Sequence, residues 1–251
     1  HWFKKHNVWP ASYDCIQTDR FDFYIKSLLK QEDLVGLNIT TPYKEKITTY
    51  VEPETKNAAH TIGAFNYIYK LGTKWIGRNS DCDGFWGAVE PFNKKIKRDT
   101  AIVIGFGGAA KAIIFALLAH PLPIYNFKKI KVFNRSFERL KKEHDQGVFQ
   151  KLQLNQIEKI KKTIEIFSFD ELEKHTQTGD LIINTTPINP FSSLGGWEIK
   201  EDAFGFDAVY RPRTGTGFLE HFGWKKRIEG IKMLVFQAQP CFRQWFMHSD
   251  D

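Results

Sequence analysis

Residues 100–119 read TAIVIGFGGAAKAIIFALLA, and the fold prediction rests on them. The run 100–106 is continuously apolar, as in a strand that is buried on both faces of a parallel sheet. The apolar residues of 109–119 recur at the spacing of a helix. A buried strand that passes through a glycine-rich turn into a helix predicts the first βα unit of an α/β domain.

The segments that follow repeat this alternation of strand and helix. Apolar runs with strand composition recur down to about residue 209, and helical patterns separate them. This succession predicts a doubly wound domain with a parallel sheet. The predicted strands are TIEIFSF (163–169), DLIINT (180–185), FGFDAV (204–209) and, directly after the first helix, KIKVFN (129–134).

Residues 1 to about 85 have a different pattern, with short β-rich runs and turns. A helical spacing occurs at 21–31, and the segment from 83 to 92 looks like the start of a second helix. The last segment, 231–246, has helical spacing that Pro240 interrupts. The predicted strands here are YDCIQT (13–18), VGLNIT (35–40) and a hairpin of FNYIYK (65–70) with KWIGRN (74–79).

The composition favours a soluble globular protein. Of the 251 residues, 42% are hydrophobic and 26% are charged, and no apolar run reaches the roughly 18 residues of a membrane span. The net charge of +7 comes from short, interrupted lysine pairs without a nucleic-acid-binding module, so we expect neither a membrane nor a nucleic acid as partner.

The cysteines indicate a reducing compartment. Cys15, Cys82 and Cys241 are odd in number and widely spaced, which suggests neither a disulfide framework nor a metal site. We expect free thiols that are buried or half-buried, in a cytoplasmic protein without a metal.

The turn GFGGAA at 105–110 has the pattern of a dinucleotide-binding loop. Gly105 permits a tight turn, Gly107 lets the backbone approach a pyrophosphate, and Ala110 allows close packing of helix on strand. The helix N-terminus would present free amides to the phosphates. A purely structural turn remains the alternative.

The end of the next strand indicates which dinucleotide would bind. An NAD site usually places an acid there for the ribose hydroxyl. This chain has Asn134, Arg135 and Ser136 instead, with Arg139 four residues after Arg135. Guanidinium groups suit a phosphate, so the segment favours NADP. Glu138 speaks against this interpretation, and surface arginines at a helix start remain possible.

Two polar segments end strands of the first region. GLNITTPYK (36–44) ends in Lys44, and GRNSD (77–81) ends in Asp81. A carbonyl that is reduced by hydride must also gain a proton, and an ammonium oriented by a carboxylate can supply it. The spacing alone does not establish that Lys44 and Asp81 meet, and either could be a solvated charge.

Eight motifs in sequence order resemble those of the shikimate dehydrogenase family. Together they span nearly the whole chain. They are GLNITTPYK (36–44), IGAFN (62–66), GRNSD (77–81), GFGGAAKA (105–112), NRS (134–136), INTTP (183–187), YRP (210–212) and GIKMLVFQA (230–238).

The resemblance assigns roles by position. It implies that Lys44 and Asp81 are catalytic, and that the substrate is bound by Thr40, Asn66, Asp81, Tyr210 and Gln237. It also implies two groups of residues that bind NADP. These are Gly105, Gly107, Gly108, Ala109, Thr185 and Met233 along the pyrophosphate and nicotinamide, and Asn134, Arg135, Ser136 and Arg139 at the 2′-phosphate.

The chain also departs from the family pattern. The Ser-x-Ser motif that grips the substrate carboxylate in the family would precede His1. Ser80 replaces a threonine, Tyr67 replaces a small residue, and a one-residue insertion precedes Thr216. We expect the larger Tyr67 side chain to crowd the pocket. Asn189 stands where a glycine is common.

The resemblance implies an α/β fold of two α/β domains with the active site in the cleft between them. An N-terminal substrate-binding domain would comprise 1–86 plus 230–251, and a Rossmann-like NADP-binding domain would comprise 87–229. The expected reaction is the reversible, NADPH-dependent reduction of 3-dehydroshikimate to shikimate, in chorismate and aromatic amino-acid biosynthesis. The alternatives are an NAD-dependent quinate/shikimate dehydrogenase and a non-catalytic regulatory paralogue. The partner would be a small-molecule substrate, and the protein a monomer or homodimer.

Overall fold

The strands form two separate sheets. The computed structural model describes residues 2–54, 61–120, 122–146, 163–192, 198–210 and 216–247. The strands are β1 (Gly36–Asn38), β2 (Glu52–Pro53), β3 (Tyr67–Leu71), β4 (Lys74–Arg78), β5 (Thr100–Ile104), β6 (Lys129–Asn134), β7 (Ile164–Ser168), β8 (Leu181–Asn184), β9 (Phe204–Asp207) and β10 (Arg227–Glu229).

Helices follow or separate most of these strands. The α-helices are α1 (Trp2–Lys5), α2 (Phe21–Leu28), α3 (Asp81–Val89), α4 (Gly108–Leu118), α5 (Phe137–Asp145) and α6 (Gly230–Phe246). The 3-10 helices are Lys46–Thr49, Glu90–Phe92, Pro123–Tyr125, Phe169–Thr178, Phe218–His221 and Trp224–Lys226.

The first sheet has four strands in the order β1-β3-β4-β2. The predicted hairpin is confirmed, because β3 and β4 pair antiparallel across a two-residue loop, Gly72–Thr73. Gly72 has a φ of 60°, the left-handed conformation that such tight hairpin loops require. Lys44 follows the end of β1 in the chain, and Asp81 follows the end of β4.

The predicted strand at 13–18 is wrong. Among the described residues, this segment makes no backbone–backbone hydrogen bond, and a strand exists only through such pairing. Side chains hold the segment instead: the Tyr13 hydroxyl donates to Asn38 Oδ1 at 2.8 Å, and the Tyr43 hydroxyl donates to the Thr18 carbonyl. The sequence pattern indicated β composition but not the missing partner.

The second sheet confirms the predicted doubly wound unit. Its six strands lie in the order β10-β9-β8-β5-β6-β7, and every adjacent pair is parallel. Alternate residues of β5 enter different apolar clusters, Ala101 and Val103 on one face and Ile102 and Ile104 on the other. The chain reverses its direction of winding between β5 and β8, where open α/β sheets bind their ligands.

Helix α6 packs closely against α3. A Cβ added to Gly84 would lie 2.7 Å from the Met233 carbonyl oxygen and 2.8 Å from Gln237 Cβ, so the two helices meet almost backbone to backbone. The predicted interruption at Pro240 is wrong, because α6 continues through it to Phe246. The two residues after the proline are buried against other elements, Cys241 against the first sheet and Phe242 against α1. This packing opposes the roughly 3 kcal/mol that an interior proline costs.

Two of the three cysteines are buried. Cys82 and Cys241 are free and buried as predicted, whereas Cys15 is exposed. Burial raises the pKa of Cys241 to about 11, so its thiol is unreactive near neutral pH. In the part of the chain that the structure describes, no helix is long and apolar enough to cross a membrane.

Candidate active site

Lys44 and Asp81 form an ion pair at the ends of two strand segments. Lys44 Nζ lies 2.6 Å from Asp81 Oδ2. The Asp81 side chain is fully buried and the Lys44 side chain is 14% exposed. A charged pair this far from solvent is costly to assemble unless its remaining hydrogen bonds are satisfied. The two residues that the sequence singled out are thus in direct contact, although 37 positions separate them.

Amide side chains hold the Asp81 carboxylate in place. Asn66 Nδ2 donates to Asp81 Oδ1 at 3.0 Å, and Asn79 Oδ1 accepts from the Asp81 backbone amide at 2.8 Å. Asn66 and Asn79 are both buried. The carboxylate therefore presents one oxygen to Lys44 while the other is held by Asn66. The orienting role of Asn79 was missed at the sequence level, although it lies within the GRNSD motif.

Backbone hydrogen bonds tie the Lys44 segment to the same sheet. The Phe65 amide donates to the Lys44 carbonyl at 2.8 Å, and the Ile39 amide donates to the Asn66 carbonyl at 2.8 Å. Between these contacts the chain passes through the cis peptide Thr41–Pro42. Lys44 therefore extends from a short, anchored loop rather than from a free surface segment.

The glycine turn lies beside the ion pair. Gly105 has a φ of 106°, and a Cβ on it would lie 2.4 Å from Thr185 Oγ1. A Cβ on Gly107 would meet nothing within 4 Å, and one on Gly108 would lie 3.3 Å from Lys44 Cβ. The turn is thus open at Gly107, where a pyrophosphate could approach, and its helix begins next to the lysine.

Gly105→Ala should weaken NADP binding and lower stability by about 1–3 kcal/mol, because the new Cβ would be strained by the left-handed φ and would displace Thr185. Calorimetric titration with NADP and a thermal melt measure the two effects. Gly223→Ala is the matched control, since a Cβ there would meet nothing within 4 Å. Wild-type NADP affinity in Gly105→Ala would contradict the assignment of this turn to the cofactor.

The predicted 2′-phosphate residues lie where β6 passes into α5. Asn134 ends β6, and Arg135 and Ser136 are exposed before the helix begins. Among the described residues, Arg135 makes no ion pair, so its guanidinium is available to bind an anion. Arg139 is different: its Nε donates to Glu143 Oε1 at 2.9 Å and its Nη2 donates to Glu45 Oε2 at 3.3 Å.

The other predicted site residues occupy varied positions. Thr40 is exposed, and Met233 is buried on the face of α6 that meets α3. The carbonyl of Gln237 accepts from Ser80 Oγ at 2.8 Å, while its side-chain amide makes no hydrogen bond within the described residues. The Thr185 hydroxyl donates to the Ile104 carbonyl at 2.7 Å.

Tyr67, which departs from the family pattern, and Tyr210, which matches it, lie in different surroundings. Tyr67 is 1% exposed, and it packs against Cys241 and Trp245 of α6. Tyr210 is 46% exposed, and no hydrogen bond within the described residues joins it to the ion pair. The rest of the YRP motif and the segment with the one-residue insertion before Thr216, residues 211–215, lie outside the described residues.

The family model and the similar proteins all name the same enzyme, shikimate dehydrogenase. A family model described as the shikimate dehydrogenase substrate binding domain matches residues 1–68. The shikimate dehydrogenase (NADP(+)) of Dictyoglomus turgidum is 30% identical over 235 residues, covering 90% of this chain and 78% of its own. That of Caldicellulosiruptor saccharolyticus is 31% identical over 232 residues, covering 89% and 76%.

A solved structure extends the likeness to the whole fold. The crystal structure of shikimate dehydrogenase from Thermotoga maritima superposes with a TM-score of 0.70 at 26% identity, covering 99% of this chain and 87% of that one. The similarity therefore includes both sheets and the segments that carry the ion pair and the glycine turn.

Proposed function

This chain belongs to the shikimate dehydrogenase family, and we propose that Lys44 and Asp81 exchange the proton in its reaction. The reaction is the reversible, NADP-dependent interconversion of 3-dehydroshikimate and shikimate, and the enzyme is an oxidoreductase. The observation that carries the proposed roles is the 2.6 Å contact between Lys44 Nζ and Asp81 Oδ2 beside the glycine turn.

The ion pair fits both directions of this chemistry. Bound NADPH supplies the hydride, and charge then develops on the carbonyl oxygen. An ammonium at Lys44 can stabilise that charge and donate a proton, which leaves a neutral amine. In the oxidation, the neutral Lys44 amine can take the proton back from the substrate hydroxyl. Asp81 keeps the ammonium oriented and balances its charge in a site that is nearly closed to solvent.

The substrate would lie against the polar groups around the pair. Asn66 donates to both Ser80 Oγ and Asp81 Oδ1, so we assign it to holding Asp81 as well as to the substrate. The side-chain amide of Gln237 has no hydrogen bond within the described residues and is available to a hydroxyl group. Thr40 and Tyr210 are exposed and would complete the contacts.

The residues around the turn fit NADP. Gly107, Gly108 and Ala109 would offer backbone amides to the pyrophosphate at the start of α4. Thr185 and Met233 would lie along the nicotinamide. The 2′-phosphate would be bound by Asn134, Arg135, Ser136 and Arg139, with Arg135 as the principal ligand because its guanidinium is unpaired among the described residues.

Arg135→Ala should weaken NADP binding roughly 10- to 100-fold, since a charge-assisted hydrogen bond contributes about 1.5–3 kcal/mol. The affinity for NAD should change little, because NAD has no 2′-phosphate. Arg139→Ala should have a smaller effect on NADP, because Arg139 is already paired with two carboxylates. Calorimetric titrations of both variants with both cofactors measure this. Equal losses for NAD and NADP in Arg135→Ala would rule out the phosphate contact.

A spectrophotometric assay tests the function as a whole. Shikimate and quinate are each offered with NADP and with NAD, and reduction is followed at the nicotinamide absorbance band. We expect shikimate with NADP to react fastest. A preference for quinate with NAD would favour the quinate/shikimate dehydrogenase alternative. Binding of shikimate without any turnover would favour a regulatory paralogue.

We also propose the domain division 1–86 plus 230–251 for the substrate and 87–229 for NADP. The existence of two separate sheets supports it, as does the packing of α6 on α3 and β3. The boundary at residue 86 falls within α3, which would then connect the two units. We place the enzyme in the cytoplasm, acting on a small molecule as a monomer or homodimer.

A further inference from the structure

Four charged side chains form a cluster directly beside the catalytic segment. Lys111 Nζ lies 3.0 Å from Glu45 Oε1 and 2.6 Å from Glu143 Oε2. Arg139 bonds to the same two acids, at 3.3 Å to Glu45 and 2.9 Å to Glu143. Two cations and two anions therefore share one neutral cluster.

The cluster joins three parts of the molecule that the reaction requires. Glu45 directly follows Lys44 in the chain, Lys111 lies in the first turn of the helix that begins at the glycine turn, and Arg139 belongs to the predicted phosphate clamp. Lys111 also lies over the ring of Phe106, with 5.3 Å between Nζ and the ring centroid. A connected set of ion pairs thus runs from the segment of Lys44 to the helix after the glycine turn and to the predicted phosphate clamp.

Burial makes Lys111 the anchor of the cluster. Its side chain is only 7% exposed, whereas those of Glu45 and Arg139 are 39% and 54% exposed. Burial tends to raise the pKa of Glu143, but hydrogen bonds from Lys111 and Arg139 outweigh it and hold that pKa below its ordinary value. Lys111 and Glu143 are therefore the two more buried members of the cluster, and Glu45 is the more exposed acid, which reaches Lys111 from the segment of Lys44.

We propose that Glu45 is a positioning residue that holds Lys44 against the glycine turn and shares Arg139 with the 2′-phosphate of NADP. The inference rests on the proposed role of Lys44. Glu45→Gln would remove the ion pair with Lys111 and so loosen the placement of Lys44. It would also release Nη2 of Arg139, whose Nε stays paired with Glu143, and it would remove a negative charge beside the phosphate site. Catalysis and NADP affinity should therefore change in opposite directions.

Glu45→Gln in the full chain tests this. We expect kcat to fall roughly 10- to 100-fold, the size of effect that a small misplacement of a catalytic group causes. The Kd for NADP should decrease about two- to fivefold, as suits a partly exposed ion pair, and the Kd for NAD should stay unchanged. Glu45→Asp keeps the carboxylate and should recover part of kcat. Glu52→Gln is the matched control, because Glu52 pairs with Lys74 on the surface, and it should behave as wild type.

Three outcomes separate this inference from the proposed function. A wild-type chain that does not oxidise shikimate with NADP, or a normal rate in Lys44→Ala, would count against the proposed function. An active wild type with kcat of Glu45→Gln within twofold of it would overturn the positioning role alone. The same role is overturned if Glu45→Gln loses NAD and NADP affinity equally and melts at a lower temperature, since the residue would then be only structural.

Discussion

Replacing Lys44 with alanine should lower the turnover number for shikimate oxidation by roughly 10²–10⁴-fold, the usual contribution of a general acid–base group. The variant lacks the ammonium that we propose exchanges the proton, while the groups around Asn66 that would bind the substrate remain. Shikimate should therefore still bind. Steady-state rates at saturating substrate and cofactor, together with a calorimetric Kd for shikimate, measure both quantities.

Stability is the second readout for this variant. From the sequence alone we expect little change, since a solvated lysine fills no core. The structure alters that expectation, because Asp81 is fully buried and would lose its counter-charge. Breaking a buried pair costs about 3–5 kcal/mol, and less here because Lys44 retains some exposure.

Lys46→Ala is the matched control for Lys44→Ala. Lys46 lies two positions along the chain and pairs with Asp22, with both side chains about half exposed. It should turn over at the wild-type rate and melt at nearly the wild-type temperature. A near-normal rate in Lys44→Ala would remove Lys44 from the mechanism.

Local patterns predicted the parallel sheet well. The unit from β5 through the turn into α4 depends on neighbours in sequence: a continuous apolar run, a glycine (Gly105) where φ is positive, and helical spacing directly afterwards. The strand KIKVFN at 129–134 was predicted with its observed bounds for the same reason. Where the apolar pattern and the turn residues favour the same local structure, the sequence alone is enough to predict the strand and helix.

Features that depend on distant partners were not predictable in this way. The segment 13–18 has strand composition, but among the described residues no strand pairs with it. Pro240 carries the local signal for a helix end, yet α6 continues through it, with Cys241 buried on the first sheet and Phe242 on α1. In both cases a tertiary interaction decided the outcome.

The candidate site also has a part that the sequence predicted and a part that only the structure shows. Motif resemblance identified Lys44 and Asp81, and their 2.6 Å separation required the structure. The cluster of Glu45 with Lys111 and Arg139 had no sequence signal, because each is an ordinary charged residue on its own segment. Arg139 was predicted to help bind the 2′-phosphate, and its pairing with two acids could be read only from the structure.

Asp81→Asn should lower turnover by roughly 10²–10³-fold while leaving NADP affinity near that of the wild type. The asparagine carbonyl can still accept the hydrogen bond from Asn66. Its amide group would then face the Lys44 ammonium, so two donors would oppose each other where a carboxylate now lies. Lys44 would lose the acceptor that orients it, although the shape of the site would be kept.

Asp83→Asn provides the control, because Asp83 lies two residues along the same helix and is exposed. It should react at the wild-type rate. The double variant Lys44→Ala/Asp81→Asn tests whether the two residues contribute to the rate as a unit or independently. Groups that act as a unit are strongly non-additive, so the double variant should be about as slow as the slower single variant. If the two losses multiplied instead, Asp81 would act on the substrate independently of Lys44, and its role as the residue that orients the ammonium would have to be abandoned.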